Sequence, residues 1–276
     1  GGRRHDPLHM GFHNGPVSGR DVFVPLDAIV GESEGIGQGW RMLMECLTDG
    51  RAISLPALSC GAAKLATRMT GAYARIRKQF DMPIGRFEGI QEPLARIAGR
   101  TYRMDAARRL TLVALDEGER PGVLSAILKY QLTEGNRQCI ADAMDIHGGK
   151  GVITGPGNYL ARAWSAVPIA ITVEGANILT RSLIIFGQGA IRAHPWLLKE
   201  MAAARDTSSG ARQAFDKALF GHVGHVISNL VRAFMLGVSG GWATRPPVKG
   251  PTARYFRQVT RMSAAFAIVS DAVLLT

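Results

Sequence analysis

The amino-acid sequence predicts a mainly α-helical protein built around a bundle of long helices. Three observations predict this class: long stretches of helical apolar spacing, very few β-type runs, and glycine or proline breakers between the long segments. Helical spacing begins near Gln38 and dominates to about Arg205, where the breakers leave four long segments, as in a helical bundle. The chain has 276 residues, 46% of them hydrophobic, which is enough to bury a core.

The chain divides into three predicted regions. Residues 1–36 are predicted to be strand and loop, because Asp21–Pro25 is a short β-type run that a proline ends. Residues 37–206 are predicted to form the bundle. Residues 207–276 follow a Ser-Ser-Gly break and are predicted to begin an additional helical domain.

Apolar stripes at helical spacing are expected to lie in the core. Three segments carry such stripes, after the breaks near residues 122, 210 and 251. The stripes are Leu124, Leu128, Leu132, Ile140 and Met144; Phe215, Leu219, Val223, Val226, Leu230 and Phe234; and Tyr255, Val259, Met262, Phe266 and Val269.

The charge of the chain is strongly positive and unevenly distributed. The formal net charge is +11, and the last region, from Ala211 onward, contains eight Lys or Arg residues but only two acidic ones, Asp216 and Asp271. Such a surplus is typical of proteins that bind nucleic acid, an anionic membrane surface or a polyanion such as a CoA ester. A solvated basic face is the simpler explanation.

Cysteine usage and hydropathy exclude several protein classes. Three widely spaced cysteines without a CxxC motif indicate a reducing compartment and argue against a disulfide framework or a zinc ribbon. We expect no membrane-spanning helix, because no uninterrupted apolar run reaches about 18 residues. The start lacks the pattern of a signal peptide. The first residue is glycine rather than methionine, so we expect the chain to be a fragment.

The segment Ala166–Asn177 places a single carboxylate in apolar surroundings. Six of the seven residues before Glu174 are apolar, and a helical pattern follows it. Apolar surroundings raise the pKa of a carboxyl group and a helix N-terminus lowers it, so the pKa at this position can be tuned. Such a carboxylate suits the removal of a weakly acidic C–H proton. The alternative is an ordinary glutamate in the first turn of a helix.

Five segments, in this order along the chain, resemble elements of the acyl-CoA dehydrogenase family. Gly19–Pro25 resembles the last strand of the family's middle β-domain, and Asp49–Arg51 the segment that places an arginine beside the acyl-CoA site. Arg77–Phe80 resembles its Arg-x-x-Phe element, and Met144–Gly151 its Gly-Gly-x-Gly loop. Val173–Asn177 resembles the glutamate–glycine motif that carries the catalytic base.

The resemblance implies a role for each matched residue. Glu174 would abstract the α-proton of the thioester. The implied FAD contacts are Arg77, Phe80, Asp145, Gly148 and Gly149, and the implied acyl-CoA contacts are Arg51, Val173 and Gly175. Several positions depart from the family pattern: Asp81 and Asp145 replace a glycine and a glutamine, Ala176 and Ile178 replace polar flavin contacts, and Val173 replaces an aromatic residue.

The resemblance also implies a fold and an activity. The fold is the four-helix bundle of the family's C-terminal domain, preceded by a remnant of the middle β-domain and followed by extra helices. Gly187–Pro195 and the basic tail are similar to a large bacterial branch of the family. That branch implies FAD-dependent conversion of fatty acyl-CoA to trans-2-enoyl-CoA in β-oxidation, with electron-transfer flavoprotein as acceptor. It further implies a homo-oligomer in the bacterial cytoplasm, with the basic region as a potential contact to the inner membrane.

Other readings of the motifs are weaker. Relatives of this fold that bind DNA through a basic C-terminal domain make a nucleic-acid-binding flavoprotein the alternative function, although the Glu174–Gly175 pair favours the enzyme. His222 and His225 lie three residues apart and only Asp216 is near them in sequence, so we predict no metal site. His147 is predicted to be a hydrogen-bonded loop residue rather than an acid or base.

Overall fold

The computed structural model describes residues 15–119 and 122–274. Helices account for most of these residues, so the prediction of a mainly α-helical protein is confirmed. The described residues form two compact units, which divide between Ile185 and Phe186.

The first unit contains the long helices of the bundle. Its α-helices are α1 (Gly39–Ala52), α2 (Ser54–Ile76), α3 (Glu88–Asp116), α4 (Gly122–His147), α5 (Gly149–Val152), α6 (Ala161–Thr172) and α7 (Asn177–Leu179). Short 3-10 helices span Leu26–Ala28, Glu32–Gly35 and Ile84–Arg86. The strands β1 (Lys78–Gln79) and β2 (Met82–Pro83) pair antiparallel after α2. A π-helix spans Thr180–Gln188 and leads into the second unit.

Helix α4 lies at the centre of the first unit and packs against α1, α2, α3 and α6. The middle of its predicted apolar stripe, Leu128, Leu132 and Ile140, is buried as expected. Gly135 allows α3 to approach closely, since a Cβ atom there would lie 2.9 Å from Sδ of Met104. Helix α4 is therefore the centre of the bundle, and its buried residues pack directly against the neighbouring helices.

Ion pairs join the long helices at the rim of the core. Lys64 on α2 contacts Asp105 on α3 at 2.8 Å. Asp142 on α4 pairs with Arg96, at 2.8 Å, and with Arg100, both on α3. These ion pairs connect α2 to α3 and α3 to α4.

The predicted strand at Asp21–Pro25 is not formed. Asp21 has a positive φ of 50°, and a 3-10 helix begins at Leu26 directly after Pro25. A strand needs a neighbour for its backbone hydrogen bonds, and β1 and β2 are the paired strands among the described residues. Residues 1–14, which begin the predicted strand-and-loop region, lie outside the described residues.

The second unit contains α8 (Gly189–Ala193), α9 (Leu197–Arg205), α10 (Ala211–Val238) and α11 (Ala253–Leu274). Helix α9 packs on α10, and α10 packs on α11. This unit begins at Phe186, whereas the predicted boundary lay between residues 206 and 207. The difference arises because α9 packs on α10 and so belongs to the same compact unit.

The apolar stripes of α10 and α11 are largely exposed, so their prediction as core is wrong for the described residues. Phe234 on α10 is 68% exposed and Phe266 on α11 is 65% exposed, whereas small residues such as Ala218 and Ala264 are buried where the helices meet. The helices bury mainly small residues against each other, and most of the large apolar residues of the two stripes are exposed.

Among the described residues, one helix, α10, has the length and hydropathy of a membrane span. The bent pair formed by Ala161–Thr172 and Asn177–Ala193 would be a second one if it were counted as a single span. Core helices of soluble proteins meet the same test, so the match rests on length and composition alone.

Candidate functional site

Glu174 lies in a tight turn between α6 and α7. The apolar residues before it form the last turns of α6. Glu174 has φ 55° and Gly175 has φ 87°, so both residues are in the left-handed region. A glutamate in this region carries strain of about 1–3 kcal/mol, and such strain persists only where neighbouring groups hold it.

Arg51 holds the carbonyl group of Glu174. Its guanidinium is 4% exposed, and Nε donates a hydrogen bond of 2.8 Å to the backbone oxygen of Glu174. Burial lowers the pKa of Arg51, and the negative charge of Glu174 opposes that shift. Arg51 lies in the last turn of α1.

Gly175 packs directly against the same guanidinium. A Cβ atom at this position would lie 3.2 Å from Nη2 of Arg51 and 3.5 Å from Oγ1 of Thr180. The structure therefore brings together three of the predicted site residues, Glu174, Gly175 and Arg51, although they are far apart in sequence. Val173, a fourth, is half-buried and ends α6, where its N–H donates to the carbonyl of Ile169.

Lys129 holds the other side of the turn and was not identified from the sequence. This fully buried lysine of α4 donates hydrogen bonds to the carbonyl oxygens of Ile171, at 3.0 Å, and Gly175, at 2.8 Å. A third bond, of 2.7 Å, reaches Oδ1 of Asn177. The only signal in the sequence is a cation adjacent to Leu128 within an apolar stripe.

Burial lowers the pKa of the Lys129 ammonium to about 8. The charge of Glu174 opposes this shift, the charge of Arg51 adds to it, and Glu134 opposes it weakly. The lysine is therefore still mostly protonated at neutral pH but loses its charge under mildly alkaline conditions.

Asn177 connects the turn to α4. Its amide nitrogen donates to Oγ1 of Thr133, at 3.0 Å, and to Oε1 of Glu134, at 2.9 Å. Thr180 adds a bond of 3.1 Å from its hydroxyl to the carbonyl of Gly175. The backbone of the turn is thus held from several helices.

The Glu174 carboxylate, unlike the backbone of its turn, is not fully hydrogen-bonded. Its Oε2 atom is buried and has no hydrogen-bond partner among the described residues. Arg51 and Lys129 bind carbonyl oxygens and leave this carboxylate oxygen free. A buried carboxylate oxygen without a partner is costly and is a common mark of a functional group. The arrangement can present a base to a ligand that enters beside it.

Arg77, one of the predicted flavin contacts, lines a cleft at the end of α2. The cleft has a volume of about 730 Å³, within the range of small-molecule sites. Arg77 and Lys78 line it from the end of α2, and Lys150 lines it from the loop that contains Gly148 and Gly149. The remaining lining residues are Met69, Ala72, Tyr73, Ile76 and Tyr159. The Arg-x-x-Phe element and the glycine loop therefore contribute to one cationic cleft.

Aromatic rings order the wall of this cleft. The ring of His147 stacks on Tyr73 with centroids 4.2 Å apart, and its Nε2 is hydrogen-bonded to the hydroxyl of Tyr159. Its Nδ1 contacts the carbonyl of Ala143 at 2.7 Å. The Lys150 ammonium lies 4.9 Å from the centroid of the Tyr159 ring. Burial lowers the pKa of His147, so it is a neutral hydrogen-bonded residue, and it ends α4 rather than lying in a loop.

Phe80 and Asp81 form the turn of the β1–β2 hairpin. Both have positive φ, 50° and 61°, as a two-residue hairpin turn of this kind requires. This geometry explains why an aspartate can stand where the family has glycine, because aspartate tolerates the left-handed region. Phe80 is 90% exposed and contacts Phe87 edge-on.

Asp145 lies in the last turn of α4, and Gly148 and Gly149 come directly after this helix. The Gly148 N–H donates to the carbonyl of Asp145 at 3.1 Å, and the Asp145 side chain is exposed. Gly148 has φ 55° with ψ −130°, a conformation that glycine alone adopts readily. Gly149 begins α5, and both glycines have open space where a side chain would stand.

The second unit contains a buried cluster of histidines and acids that sequence spacing did not reveal. Ring atoms of His194 and His225 and a carboxylate oxygen of Asp271 lie within 4.8 Å of one another, close enough for a metal by distance. However, Nδ1 of His194 accepts the backbone N–H groups of Trp196 and Leu197, at 3.3 and 3.1 Å. The proton of the neutral ring is then on Nε2, which lies 3.1 Å from Oδ1 of Asp271 without hydrogen-bond geometry. A ring with Nε2 protonated and Nδ1 already accepting two N–H groups is poorly suited to bind a metal.

Family sequence models match both units. The model described as "Acyl-CoA dehydrogenase, C-terminal domain" matches residues 37–187. A second one, described as "Acyl-CoA dehydrogenase, C-terminal, bacterial type", matches residues 191–276.

Individual proteins show the same similarity. Protein HemX of Proteus mirabilis is 56% identical over 71 residues, which cover 26% of this chain and 42% of that protein. The probable acyl-CoA dehydrogenase FadE10 of Mycobacterium tuberculosis is 30% identical over 195 residues, or 67% of this chain and 29% of that protein. A solved structure of glutaryl-coenzyme A dehydrogenase with glutaryl-CoA is 28% identical, with a TM-score of 0.52 over 56% of this chain and 39% of that one. The chain thus spans less than half the length of each of these proteins.

Proposed function

Since the chain belongs to the acyl-CoA dehydrogenase family, we propose that it is the base-carrying part of a flavin-dependent enzyme that dehydrogenates an acyl-CoA thioester. The observation that carries this proposal is the Glu174 turn, where a buried carboxylate oxygen is left without a partner. Two buried cations hold the backbone on either side of it. This arrangement suits a base that must reach a weak carbon acid.

Glu174 would accept the α-proton of the thioester. The Arg51 guanidinium and the Lys129 ammonium bind the backbone of the turn, so the carboxylate is held in place without being neutralised by a direct ion pair in the described residues. Val173 precedes the base and would form part of the acyl pocket wall. Loss of the α-proton together with a β-hydride leaves a trans-2-enoyl-CoA.

We propose that the cationic cleft forms part of the site for a flavin dinucleotide. Arg77 and Lys150 would pair with its pyrophosphate, and Gly148 and Gly149 have open space for a close approach to their backbone. Phe80, in the exposed hairpin turn, would contact the flavin with its aromatic ring. Asp145 is exposed beside the glycine loop and completes the proposed set. When bound, FAD would supply the acceptor of the β-hydride.

The finer assignments are proposals, which the bacterial type of the C-terminal match supports. We propose a fatty acyl-CoA substrate of β-oxidation, electron-transfer flavoprotein as electron acceptor, a homo-oligomeric enzyme and a bacterial cytoplasmic location. Contact of the basic region with an anionic membrane surface belongs to the same proposal. The solved structure of glutaryl-coenzyme A dehydrogenase is a complex with glutaryl-CoA, so a short dicarboxylic acyl-CoA is the first alternative substrate to test.

The experiment is anaerobic mixing of the flavin-loaded full-length protein with acyl-CoA esters of increasing chain length and with glutaryl-CoA. Bleaching of the flavin absorbance by at least one ester is expected, and the most rapid ester identifies the substrate class. The basic last region motivates a parallel measurement of DNA retention against salt concentration. Salt-sensitive DNA retention with no bleaching by any ester would replace the enzyme with a nucleic-acid-binding flavoprotein.

A further inference from the structure

Lys129 occupies a place in the bundle where an isolated charge is unfavourable. It is fully buried on α4, next to Leu128 and one turn before the buried Leu132. A lysine in a core costs free energy unless its ammonium is fully paired. Here all three N–H groups have partners, and all three partners belong to the segment from Ile171 to Asn177. The contacts of this charge are therefore concentrated on the turn that carries Glu174.

The three contacts surround the strained residues. Ile171 is in the last turn of α6, where unpaired carbonyl groups attract a cation. Gly175 follows Glu174 directly, and Asn177 begins α7. One ammonium group thus joins the helix before the turn, the turn itself and the helix after it. This explains how positive φ values persist at two successive residues, one of which is a glutamate.

We propose that Lys129 is a positioning residue for Glu174, whose charged ammonium group clamps the Ile171–Asn177 segment so that the carboxylate points at the substrate. This inference rests on the proposed function. It adds that the placement of the base depends on a protonated lysine on a different helix. Charge-assisted hydrogen bonds are about twice as strong as neutral ones, so the clamp weakens when Lys129 loses its proton.

The proposal makes the turn sensitive to alkaline pH. Burial brings the pKa of Lys129 to about 8, and the charges that act on it are Glu174, Arg51 on α1 and Glu134 on α4. A neutral amine has two N–H groups for three acceptors. Above this pH one contact is lost and the other two lose their charge, while Arg51 still holds the carbonyl of Glu174.

The first test is flavin reduction by the full-length enzyme as a function of pH. The wild-type rate at saturating substrate should fall above about pH 8. The Lys129→Met variant, similar in length but without charge, should be slower by about 100-fold, as expected for a misplaced reacting group. Its rate should no longer change across this pH range. Lys129→Gln should behave in the same way, since it restores a donor without the charge. Lys64→Met, which removes a cation that pairs with Asp105 on α3, is the matched control and should keep the alkaline fall.

A second measurement does not depend on activity. Amide hydrogen exchange of residues 171–180, corrected for the intrinsic effect of pH, should accelerate in the wild type above about pH 8. Residues 54–76 of α2 should not change. In the Lys129 variants the faster exchange should already be present at neutral pH. Should the variants fail to fold, the wild-type titration remains decisive.

The outcomes separate this proposal from the proposed function. If no ester bleaches the flavin but exchange in residues 171–180 still follows the lysine, the function is wrong and the clamp stands. If the enzyme is active and the Lys129 variants keep the alkaline fall, Lys129 is only a structural residue and the proposal is overturned. Unchanged exchange across the pH range would overturn it as well.

Discussion

At the scale of single residues, the site is a strained turn held by groups that are distant in sequence. Glu174 has a backbone conformation that glutamate seldom adopts, and its buried Oε2 atom has no partner among the described residues. Arg51 and Lys129 each bind a carbonyl group of this turn. The residue that does the proposed chemistry is therefore held through its backbone rather than through its side chain.

Gly175→Ala should lower both stability and activity. Alanine at φ 87° is strained by about 1–2 kcal/mol, and its Cβ would press on the Arg51 guanidinium at 3.2 Å. Denaturant unfolding and flavin reduction measure the two effects. The control is Gly118→Ala, because Gly118 has φ 81° but open space around it. The control should lose similar stability and keep its activity, and a fully active Gly175→Ala enzyme would contradict the role of this contact.

At the scale of elements, α4 organises the first unit and also supplies the clamp lysine. It packs on four other helices and carries Asp142, which pairs with two arginines of α3. Helices α2 and α3 are joined in turn by Lys64 and Asp105. The bundle thus fixes the relative positions of α1, α4 and α6, which together hold the Glu174 turn.

Asp105 gives the bundle a defined response to acid. Hydrogen bonds, first from Lys64 and then from Arg108, outweigh the opposing effect of burial and lower the pKa of Asp105 to about 2. Because the folded pKa is lower than the usual value, the stabilisation is present above about pH 4 and is lost as the pH falls toward 2. Asp105→Asn should cost about 1 kcal/mol at neutral pH, as for partly exposed ion pairs.

The measurement is urea unfolding of wild type and Asp105→Asn between about pH 6 and pH 2. The difference in unfolding free energy should shrink as the pH falls. The exposed Asp116→Asn, also on α3, should show no such convergence. A difference that stays constant down to pH 2 would show that the Lys64–Asp105 pair is not responsible.

Much of the element pattern follows from the sequence, and its failures have physical causes. Helical periodicity identified the stripe of Leu128, Leu132 and Ile140 because local spacing reports which face of a helix is buried. Periodicity could not show that the stripes of α10 and α11 are exposed, since burial depends on what covers a face. The strand predicted at residues 21–25 is absent for a similar reason, because β structure needs a partner strand that the local pattern does not reveal.

The candidate site, too, could be predicted only in part from the sequence. Short motifs placed Glu174, Gly175 and Arg51 in one site, and their geometry agrees with that grouping. Lys129 was not found because its role depends on contacts with residues more than forty positions away. The His194–Asp271 contact escaped detection for the same reason.

At the scale of the whole molecule, the stability of the two compact units depends on pH through different titrating groups. In the second unit His194 caps the start of α9 through Nδ1. Burial lowers the pKa of His194, the charges of His222 and His225 add to this, and Asp271 and Glu200 oppose it. The folded state therefore binds the proton less readily than the unfolded chain, so stability is present at neutral pH and falls below about pH 6.5.

Mild acid should therefore loosen the start of α9. Hydrogen exchange in α9 and α10, corrected for intrinsic rates, should be faster at about pH 5.5 than at about pH 7.5. Exchange in α3 should be the same at both. His194→Asn retains a capping oxygen without a titrating ring and should abolish the difference. Equal acceleration in α3 would refute an origin at His194.

The most direct test of the central claim is flavin reduction by a full-length Glu174→Gln enzyme. Glutamine keeps the size of the side chain but cannot accept the α-proton. The account predicts that reduction by the best acyl-CoA ester slows by about 100- to 10,000-fold, while flavin content and ester binding are retained. Glu88→Gln, an exposed change at the start of α3, serves as control and should match wild type. Reduction of Glu174→Gln at the wild-type rate would contradict the claim and remove Glu174 as the base.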